Sequence, residues 1–325
     1  MHQLQIPDHL LLVLQQAREN YQQPAMKRKV GKPPTYSDFS FLLLTIAAVV
    51  LRTFDSIELH RLLSKDEGLR TACAFPQVPH RKTIGRRLSK LIPAAEEQIR
   101  LCGEQIIKEI AAPDAPLVSA IDGRMYEACG AKWHAKDRRE NLVPTGLRNV
   151  DTDSYWSKSD YRGWVQGYRL IVQTLVFPTP VPLAARWTGN EVGEATTFKQ
   201  MLARQEMPVT ATLLADETFG AAQLVELYGA AGGWLLTPKQ LPAKNYTWKD
   251  DLFAYRRETI ELLFQRIIQT ADLKQCQVRG NGKNGAFVLA SLWLYQIIFV
   301  TNHRQQKPLA NVKEQVDYAR WRIPI

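Results

Sequence analysis

Two aspartates in this sequence each come directly after a short apolar run. Asp122 follows the apolar residues of PLVSAIDG, and Asp216 follows those of TATLLADETFG. A carboxylate at the end of an apolar strand is unfavourable unless it is solvated, paired or bound to a cation. Either aspartate alone could be a turn residue or a helix N-cap, which are commoner roles. The shared pattern favours a site where two strand ends meet, with Glu127 and Glu217 as nearby alternatives.

A third acid lies on the predicted helix YRRETIELLFQRIIQTA. At about 100° per residue, five apolar residues cluster on one face of this helix: Ile260, Leu263, Phe264, Ile267 and Ile268. Glu261 lies about 90° from the centre of that face, whereas Glu258 lies about 150° away. Glu261 is therefore expected at the border between core and surface, where it can reach a site beside a sheet. An ordinary surface ion pair with Arg257, one turn earlier, is the alternative.

Carboxylate oxygens are the ligands that Mg²⁺ and Mn²⁺ prefer. Two such ions about 4 Å apart can activate a water or a 3′-hydroxyl on one side of a phosphodiester and stabilise the leaving oxygen on the other. We expect this chemistry if Asp122, Asp216 and Glu261 converge in the folded chain.

These acids need a sheet and a helix to position them. From about residue 113 the sequence carries short aliphatic or β-branched runs bounded by Pro, Gly or Asn, which predict strands: PLVSAIDG, GYRLIVQTLVF, VPLAARWTG, TATLLADETFG and GGWLLTPK. Helical segments lie between and after these runs. Residues 113–325 are therefore predicted to form an α/β domain in which helices pack on a sheet.

Residues 1–112 are predicted to be helical throughout and to form a separate N-terminal domain. Two of the predicted helices each begin with a pair of cap candidates, Ser37 with Asp38 and Asp55 with Ser56. Residues 81–90 follow a proline-bounded loop and contain five basic residues and no acid: Arg81, Lys82, Arg86, Arg87 and Lys90. A short basic helix after a turn is typical of the second helix of a helix-turn-helix. A basic helical face in contact only with solvent is the alternative.

The composition, with 45% hydrophobic and 23% charged residues, is that of an ordinary globular protein. A net charge of +10 and a pI near 9.4 favour a polyanionic partner, with nucleic acid as the first candidate. The N-terminus lacks the features of a secretory signal. The longest apolar run, residues 41–51, is shorter than the roughly 20 residues that span a bilayer. We therefore expect a cytoplasmic protein that does not contact a membrane.

One further segment combines aromatic and basic residues. YWSKSDYRGWVQGYRL contains, in order, Trp156, Lys158, Tyr161, Arg162, Trp164, Tyr168 and Arg169. Aromatic rings stack on splayed bases and cations bind phosphates, so this segment, with Trp164 in its middle, is a candidate DNA-binding surface. Alternating aromatic residues in a strand are more often part of a core.

The order AIDG, YWSKSDYRGWVQGYRL, LLADETF and RETIELLFQRI resembles the DDE transposases of bacterial insertion sequences, in the IS4/IS5-like superfamily. The resemblance covers roughly residues 117–302, and the helical N-terminus resembles the end-binding region that precedes the core in this group. It implies a ribonuclease-H-like mixed sheet flanked by helices, in which two aspartates and one glutamate bind two metal ions. The matching positions are Asp122, Asp216 and Glu261.

Many members of this family also carry a signature around the glutamate, with a Tyr seven residues before it, an Arg four before it and a Lys seven after it. Arg257 occupies the Arg position, whereas Tyr255 is one position late. Ile268 occupies the Lys position, and Arg266 is the nearest basic residue. The resemblance thus implies DNA contacts for Arg257 and, with a shift, for Tyr255.

The leading interpretation is a transposase that binds the ends of a mobile DNA element, cleaves there and joins the freed 3′-hydroxyls to target DNA. It would bind double-stranded DNA, use two Mg²⁺ or Mn²⁺ ions, act as a homodimer in the synaptic complex, and lie in the bacterial cytoplasm at the nucleoid. One alternative is a DNA-binding protein derived from a transposase that no longer cleaves, although all three acids are present. The other is a metal-dependent nuclease without a joining step, although such an enzyme needs no separate basic domain.

Overall fold

The protein's structure, a computed structural model, describes residues 8–24, 35–110, 116–159, 162–176, 180–238, 248–271, 273–309 and 311–320. The described residues before position 112 form helices joined by loops, as the sequence predicted: α1 (Asp8–Glu19), α2 (Asp38–Leu51), α3 (Ser56–Lys65), α4 (Glu67–Ala72), α5 (Arg81–Leu88) and α6 (Ile92–Ile110). In each pair of cap candidates the first residue is the N-cap, because Ser37 and Asp55 accept hydrogen bonds from backbone amides in the first turns of α2 and α3.

Strands and helices alternate in the remainder of the chain, and the five predicted strands are all present. The first part contains β1 (Val118–Glu127), α7 (Ala135–Arg139), β2 (Tyr155–Ser159), β3 (Gly163–Leu175), β4 (Val181–Gly189) and α8 (Glu194–Ala203). The second part contains β5 (Thr212–Leu214), a 3-10 helix (Glu217–Phe219), α9 (Ala222–Ala230), β6 (Trp234–Leu236), α10 (Trp248–Ala271), α11 (Asn281–Arg304) and α12 (Val312–Arg320).

The six strands of the described chain form one mixed sheet in the order β2-β3-β1-β5-β6, and β4 pairs with the second half of β3. β1, β3 and β4 form an antiparallel meander, whereas β5 and β6 run parallel to β1. Helices pack on both faces. This is the ribonuclease-H-like mixed sheet flanked by helices that the sequence predicted.

Two apolar cores lie on opposite faces of the sheet. Ile121 packs on one face with Phe198 of α8 and Tyr228 of α9. Ala120 packs on the other face, in a larger core that includes residues of α6, α10 and α11 and of the N-terminal helices. Because neighbouring residues of a strand point to opposite faces, β1 contributes side chains to both cores.

The larger core is continuous from the N-terminal helices to the sheet. Glu96 of α6 strengthens this link, because its carboxylate accepts hydrogen bonds from the Trp187 amide (2.8 Å) and the Arg186 guanidinium (3.0 Å) of β4. Burial raises the pKa of Glu96 to about 7, although Arg186 opposes the rise. The division of the chain into two domains at residue 112 stays a prediction.

Among the described helices, α11 is long and apolar enough by itself to cross a membrane, with a mean hydropathy of 1.5 in its most apolar window. All of that window is buried inside the protein, and α11 contacts α2, α6 and β4. The bent pair of α2 and α3 passes the same test only when the two helices are joined across a 99° bend. The position of α11 is that of a central core helix.

Candidate metal centre

The register of the sheet brings Asp122 and Asp216 together. β1 and β5 run parallel, and their last paired residues are Ala120 and Leu214. Each aspartate lies two residues beyond that pair, in the same direction along its chain. The expectation that the two acids come from adjacent strands is therefore confirmed.

The expectation that Asp122 ends its strand is wrong. β1 continues to Glu127, because β3 pairs with it antiparallel as far as Glu127 opposite Gly167. β5, in contrast, ends at Leu214. Beyond Ala120, the edge of β1 that faced β5 has no strand partner in the described structure, so Asp122 lies within a strand but beside an opening in the sheet.

Asp122 contacts a backbone amide and a guanidinium. The Gly123 N–H donates to Oδ1 at 2.7 Å, and Nη2 of Arg256, on α10, lies 3.4 Å from Oδ2. Burial raises the pKa of Asp122, Arg256 and the Gly123 amide oppose the rise, and the negative charges of Asp216 and Glu261 add to it. A bound cation would offset this destabilisation of the ionised carboxylate.

Asp216 has two roles in the structure. It is the N-cap of the 3-10 helix Glu217–Phe219, and its Oδ1 accepts a hydrogen bond from the Thr218 amide at 2.9 Å. It also lies beside Asp122, as the register requires. The capping role and the strand-end position, which the sequence offered as alternatives, are both present.

A third acid, Glu194, completes the group, and the sequence interpretation missed it. One carboxylate oxygen each from Asp122, Asp216 and Glu194 lies within 4.8 Å of the other two. We call these three residues the acid group. Glu194 is the first residue of α8, directly after Gly193. Acids are common in the first turn of any helix, where the helix dipole favours them, so its position in the sequence did not distinguish it.

Gly123 makes room for Glu194. A Cβ atom added to Gly123 would lie 2.3 Å from Oε1 of Glu194. Since Gly123 follows Asp122 in a strand, its missing side chain would project from the opposite face, on the side of α8. The glycine of AIDG therefore allows a carboxylate from α8 to pack on the backbone of β1 next to Asp122.

Arg169 of β3 holds Glu194 from the side. Its Nε lies 3.6 Å from Oε1 of Glu194, and its two terminal nitrogens donate to the Val192 carbonyl (3.0 Å) and to Ser157 Oγ (3.2 Å). Burial raises the pKa of Glu194 to about 7, Arg169 opposes the rise, and Asp122 and Asp216 add to it. Glu194 is therefore fixed in place and only partly ionised near neutral pH without a cation.

Glu261 lies on the other face of the sheet. The predicted apolar face of α10 is confirmed, since all five of its residues are buried: Ile260, Leu263, Phe264, Ile267 and Ile268. Glu261 itself is exposed, and its charge acts on Asp122. The group of mutually close carboxylates contains Glu194 and not Glu261, so a metal-binding role for Glu261 stays a prediction.

The alternatives Glu127 and Glu217 lie outside the acid group. Glu127 forms ion pairs with Lys132 and, at 3.5 Å, with Arg162. Glu217 is exposed on the 3-10 helix.

The predicted DNA-binding residues of α5 and its C-terminal end differ in their surroundings. Four are exposed: Arg81, Lys82, Arg86 and Lys90. Arg87 is half-buried, since its Nη2 lies 2.6 Å from Oδ1 of Asp38 and its guanidinium lies over the Phe41 ring, 4.9 Å from the centroid. The charge of Arg87 is therefore partly neutralised within the protein.

The other candidate DNA contacts fall into two sets. Trp164 (67% exposed), Tyr255 (43% exposed) and Arg257 are at the surface. Tyr168 and Arg169 are buried, because β3 lies inside the sheet with helices on both faces, so for these two residues the alternative, a place in the core, is the observed one. Tyr161 lies outside the described residues.

The donor set suits a hard divalent cation. Oxygens bound to one Mg²⁺ lie about 3 to 4 Å apart, given Mg–O bonds of about 2.1 Å. Carboxylate oxygens that already lie within 4.8 Å of one another need only a small movement to share an ion. Three ionised carboxylates beside the guanidiniums of Arg256 and Arg169 also carry a net negative charge, which favours a cation.

No protein-family model matches the chain, and a comparison with curated proteins finds no similar sequence. Among solved structures, the chain is similar to the piggyBac transposase in its synaptic complex with hairpin DNA, with a TM-score of 0.43 and 9% identity over 98% of this chain and 80% of that chain. It is also similar to Mos1 in its strand transfer complex, with a TM-score of 0.23 and 13% identity over 84% of this chain and 80% of that chain. The mariner Mos1 paired end complex with Mg is similar with a TM-score of 0.20 and 12% identity over 86% of this chain and 83% of that chain. Such values assign no family, so the function depends on the site.

Proposed function

We propose that this protein is a DDE-type transposase that binds the ends of a mobile DNA element and performs metal-dependent cleavage and strand transfer. The observation that carries the proposal is the acid group: Asp122, Asp216 and Glu194 converge at an opening in a ribonuclease-H-like sheet. Burial and neighbouring acids raise the pKa values of Asp122 and Glu194, and such partly buried carboxylates are unfavourable in a structural core and suit a divalent cation site.

The acids would hold two Mg²⁺ or Mn²⁺ ions. Asp122 and Asp216 would be ligands, Glu194 would add a ligand from the α8 side, and Glu261 would add one from the α10 side. When bound, two such ions activate a water or a 3′-hydroxyl and stabilise the leaving oxygen of a phosphodiester. The protein's own contribution is to fix the carboxylates in advance, through the register of β1 with β5 and the space at Gly123.

Double-stranded DNA is the proposed substrate. The net charge of +10 favours a polyanion, and the exposed basic residues of α5 would contact the element ends. Trp164, Tyr255 and Arg257 would contact DNA nearer the acid group. Joining two ends requires two copies of the protein, so we propose a homodimer in the synaptic complex and, from the resemblance, a bacterial insertion sequence at the nucleoid.

A nicking assay tests the enzymatic proposal. The substrate is a supercoiled plasmid that carries the DNA flanking this reading frame, incubated with Mg²⁺ or Mn²⁺. Asp122→Asn keeps the size of the side chain but removes the charge that the cation needs, so it should abolish nicking and leave DNA binding intact. Glu127→Gln removes a carboxylate from the same strand outside the acid group and is the control. A wild-type protein that binds but never nicks would support the derived DNA-binding protein instead.

The role of α5 is tested by the salt dependence of DNA binding. Arg86→Gln should lower the slope of log K against log salt by about one, the value for one lost phosphate contact. Arg87→Gln should change the slope less, because Arg87 is already paired with Asp38. If both variants keep the wild-type slope, the basic side chains of α5 contact solvent and not DNA.

A further inference from the structure

A cavity of about 410 Å³ lies between β1 and α10 and is partly open to solvent. Its lining combines two cations, one acid and two amides over an apolar floor that includes Phe264: Arg124, Lys274, Glu261, Gln265 and Gln269. Glu261 connects the cavity with the acid group, because its charge acts on Asp122. The cavity is thus a polar recess next to the candidate metal centre.

Arg124 is a cation without a matching anion in the part of the chain that the structure describes. Its Nε is buried without a hydrogen-bond partner there, and the ion pairs among the described residues do not include it. Its guanidinium lies 5.7 Å from the centroid of the Tyr126 ring. An anion in the cavity would give this guanidinium an ionic partner.

The strand places this cation at a useful distance from the acids. Arg124 and Asp122 are two residues apart on β1, so they share a face and lie about 6.6 Å apart along the strand. A ligand that reaches both residues needs one negatively charged group beside Arg124. It needs a second negatively charged group that divalent cations at the acid group can bind. A nucleic-acid strand has this character, because its phosphates repeat along the backbone.

We propose that the cavity is a phosphate-binding subsite, in which Arg124 and Lys274 hold a backbone phosphate next to the one that lies at the acid group. Gln265 and Gln269 are one turn apart on α10 and can donate hydrogen bonds to the same phosphate. The inference depends on the proposed function, since it takes the strand that is cut as its ligand. It assigns Arg124 to substrate positioning, separate from metal binding.

The test measures DNA affinity in EDTA, where the acid group holds no divalent ion and no cleavage occurs. A short fluorescent duplex is titrated with wild type, Arg124→Gln, Arg124→Lys and Lys274→Gln over a range of NaCl concentrations. Lys108→Gln, an exposed change on α6, is the control for net charge. Arg124→Gln and Lys274→Gln should each lower the salt slope by about one, Arg124→Lys should keep it, and Lys108→Gln should leave it unchanged.

Two contrary results have different meanings. If wild type binds DNA and both neutralised variants keep its slope, the subsite is refuted while the proposed function stands. Lys274 is exposed, so its variant gives this answer even if Arg124→Gln fails to fold. If the wild-type protein does not bind DNA at low salt, the subsite and the proposed function are both refuted.

Discussion

Two helices approach the aspartate pair from opposite faces of the sheet, and each brings one glutamate. α8 brings Glu194, whose side chain is 17% exposed, packs on Gly123 and lies beside Arg169. α10 brings Glu261, which is exposed, together with Arg256, which lies against Asp122. The two sides therefore differ in burial: one adds a partly buried carboxylate beside the buried cation Arg169, and the other adds an exposed carboxylate and a partly buried cation.

This difference indicates that the two sides affect metal binding at the same two aspartates in different ways. A fixed, buried carboxylate gives a preorganised ligand, but its raised pKa makes its contribution depend on pH. A guanidinium at Asp122 offsets negative charge while no metal is bound, and it must compete with a metal that binds there. The α8 side is thus expected to determine metal affinity, and the α10 side to modulate it.

The largest effect is expected for Gly123→Ala, which places a methyl group 2.3 Å from the Glu194 carboxylate. The atoms that the methyl group meets are the end of the flexible Glu194 side chain, so we expect that side chain to move, with a small loss in the free energy of unfolding and a marked loss of Mn²⁺ affinity. Denaturant unfolding and Mn²⁺ titration measure the two effects.

Gly229→Ala is the matched control, because a Cβ atom there meets nothing within 4 Å and alanine is favoured in a helix by about 0.5–1 kcal/mol. Adding Glu194→Ala to Gly123→Ala should restore stability but not Mn²⁺ affinity. If Gly123→Ala binds Mn²⁺ as tightly as wild type, Glu194 does not pack on β1 as described.

The next prediction distinguishes Glu194 from Glu261 by the pH dependence of Mn²⁺ binding. Because the pKa of Glu194 is raised from 4.5 to about 7, Mn²⁺ must displace a proton from it below neutrality, and wild-type affinity should rise by up to about tenfold per pH unit as pH approaches 7. Glu194→Gln should weaken binding and flatten this rise, whereas Glu261→Gln should keep the rise and shift it slightly to lower pH, because the charge of Glu261 adds to the raised pKa of Asp122. Calorimetric Mn²⁺ titrations at several pH values measure both.

The same shift predicts the stability of the metal-free protein. A carboxyl group with a raised pKa in the folded state destabilises that state as pH rises from its ordinary value of 4.5 through about 7, by on the order of 2–3 kcal/mol. Glu194→Gln should remove the part of this loss that Glu194 contributes, while the part from Glu96, whose pKa is also raised to about 7, remains. An equally steep loss of stability in Glu194→Gln would assign the effect to another group.

The smallest effect concerns the cation on the α10 side. Arg256→Gln removes the charge that competes with metal at Asp122, so Mn²⁺ affinity should rise a few-fold at alkaline pH. The gain should shrink at acid pH, because loss of Arg256 raises the pKa of Asp122 further. Arg257→Gln changes an exposed neighbour on the same helix and should alter neither the Mn²⁺ affinity nor its dependence on pH. A lower affinity for Arg256→Gln would mean that Arg256 positions Asp122 for the metal.

Much of the fold and two of the three residues of the acid group follow from local patterns in the sequence. Capping residues, apolar periodicity and bounded aliphatic runs predict the helices and strands, and the apolar face of α10 predicts which side of that helix is buried. Asp122 and Asp216 were found because each follows an apolar run. Their meeting depends on the parallel pairing of β1 with β5, which no local pattern in the sequence shows.

The remaining features depend on tertiary contacts that no local pattern shows. Glu194 looks like any acid at the start of a helix, and only the space over Gly123 reveals its partner. Arg256 differs from the exposed Arg257 by one position on a helix whose polar face is broad. The length of β1 beyond Asp122 depends on β3, which is distant in sequence, so the strand-end interpretation could not be corrected from the sequence.

The central claim is that the acid group binds a divalent cation, and Mn²⁺ binding tests it most directly. Electron paramagnetic resonance of free Mn²⁺ during titration gives the number of bound ions and their affinity near pH 8, without any requirement for DNA. We predict saturable binding by wild type and by Glu127→Gln, and its loss in Asp122→Asn and Asp216→Asn with the fold retained by circular dichroism. Equal Mn²⁺ binding by wild type and both aspartate variants would contradict the account.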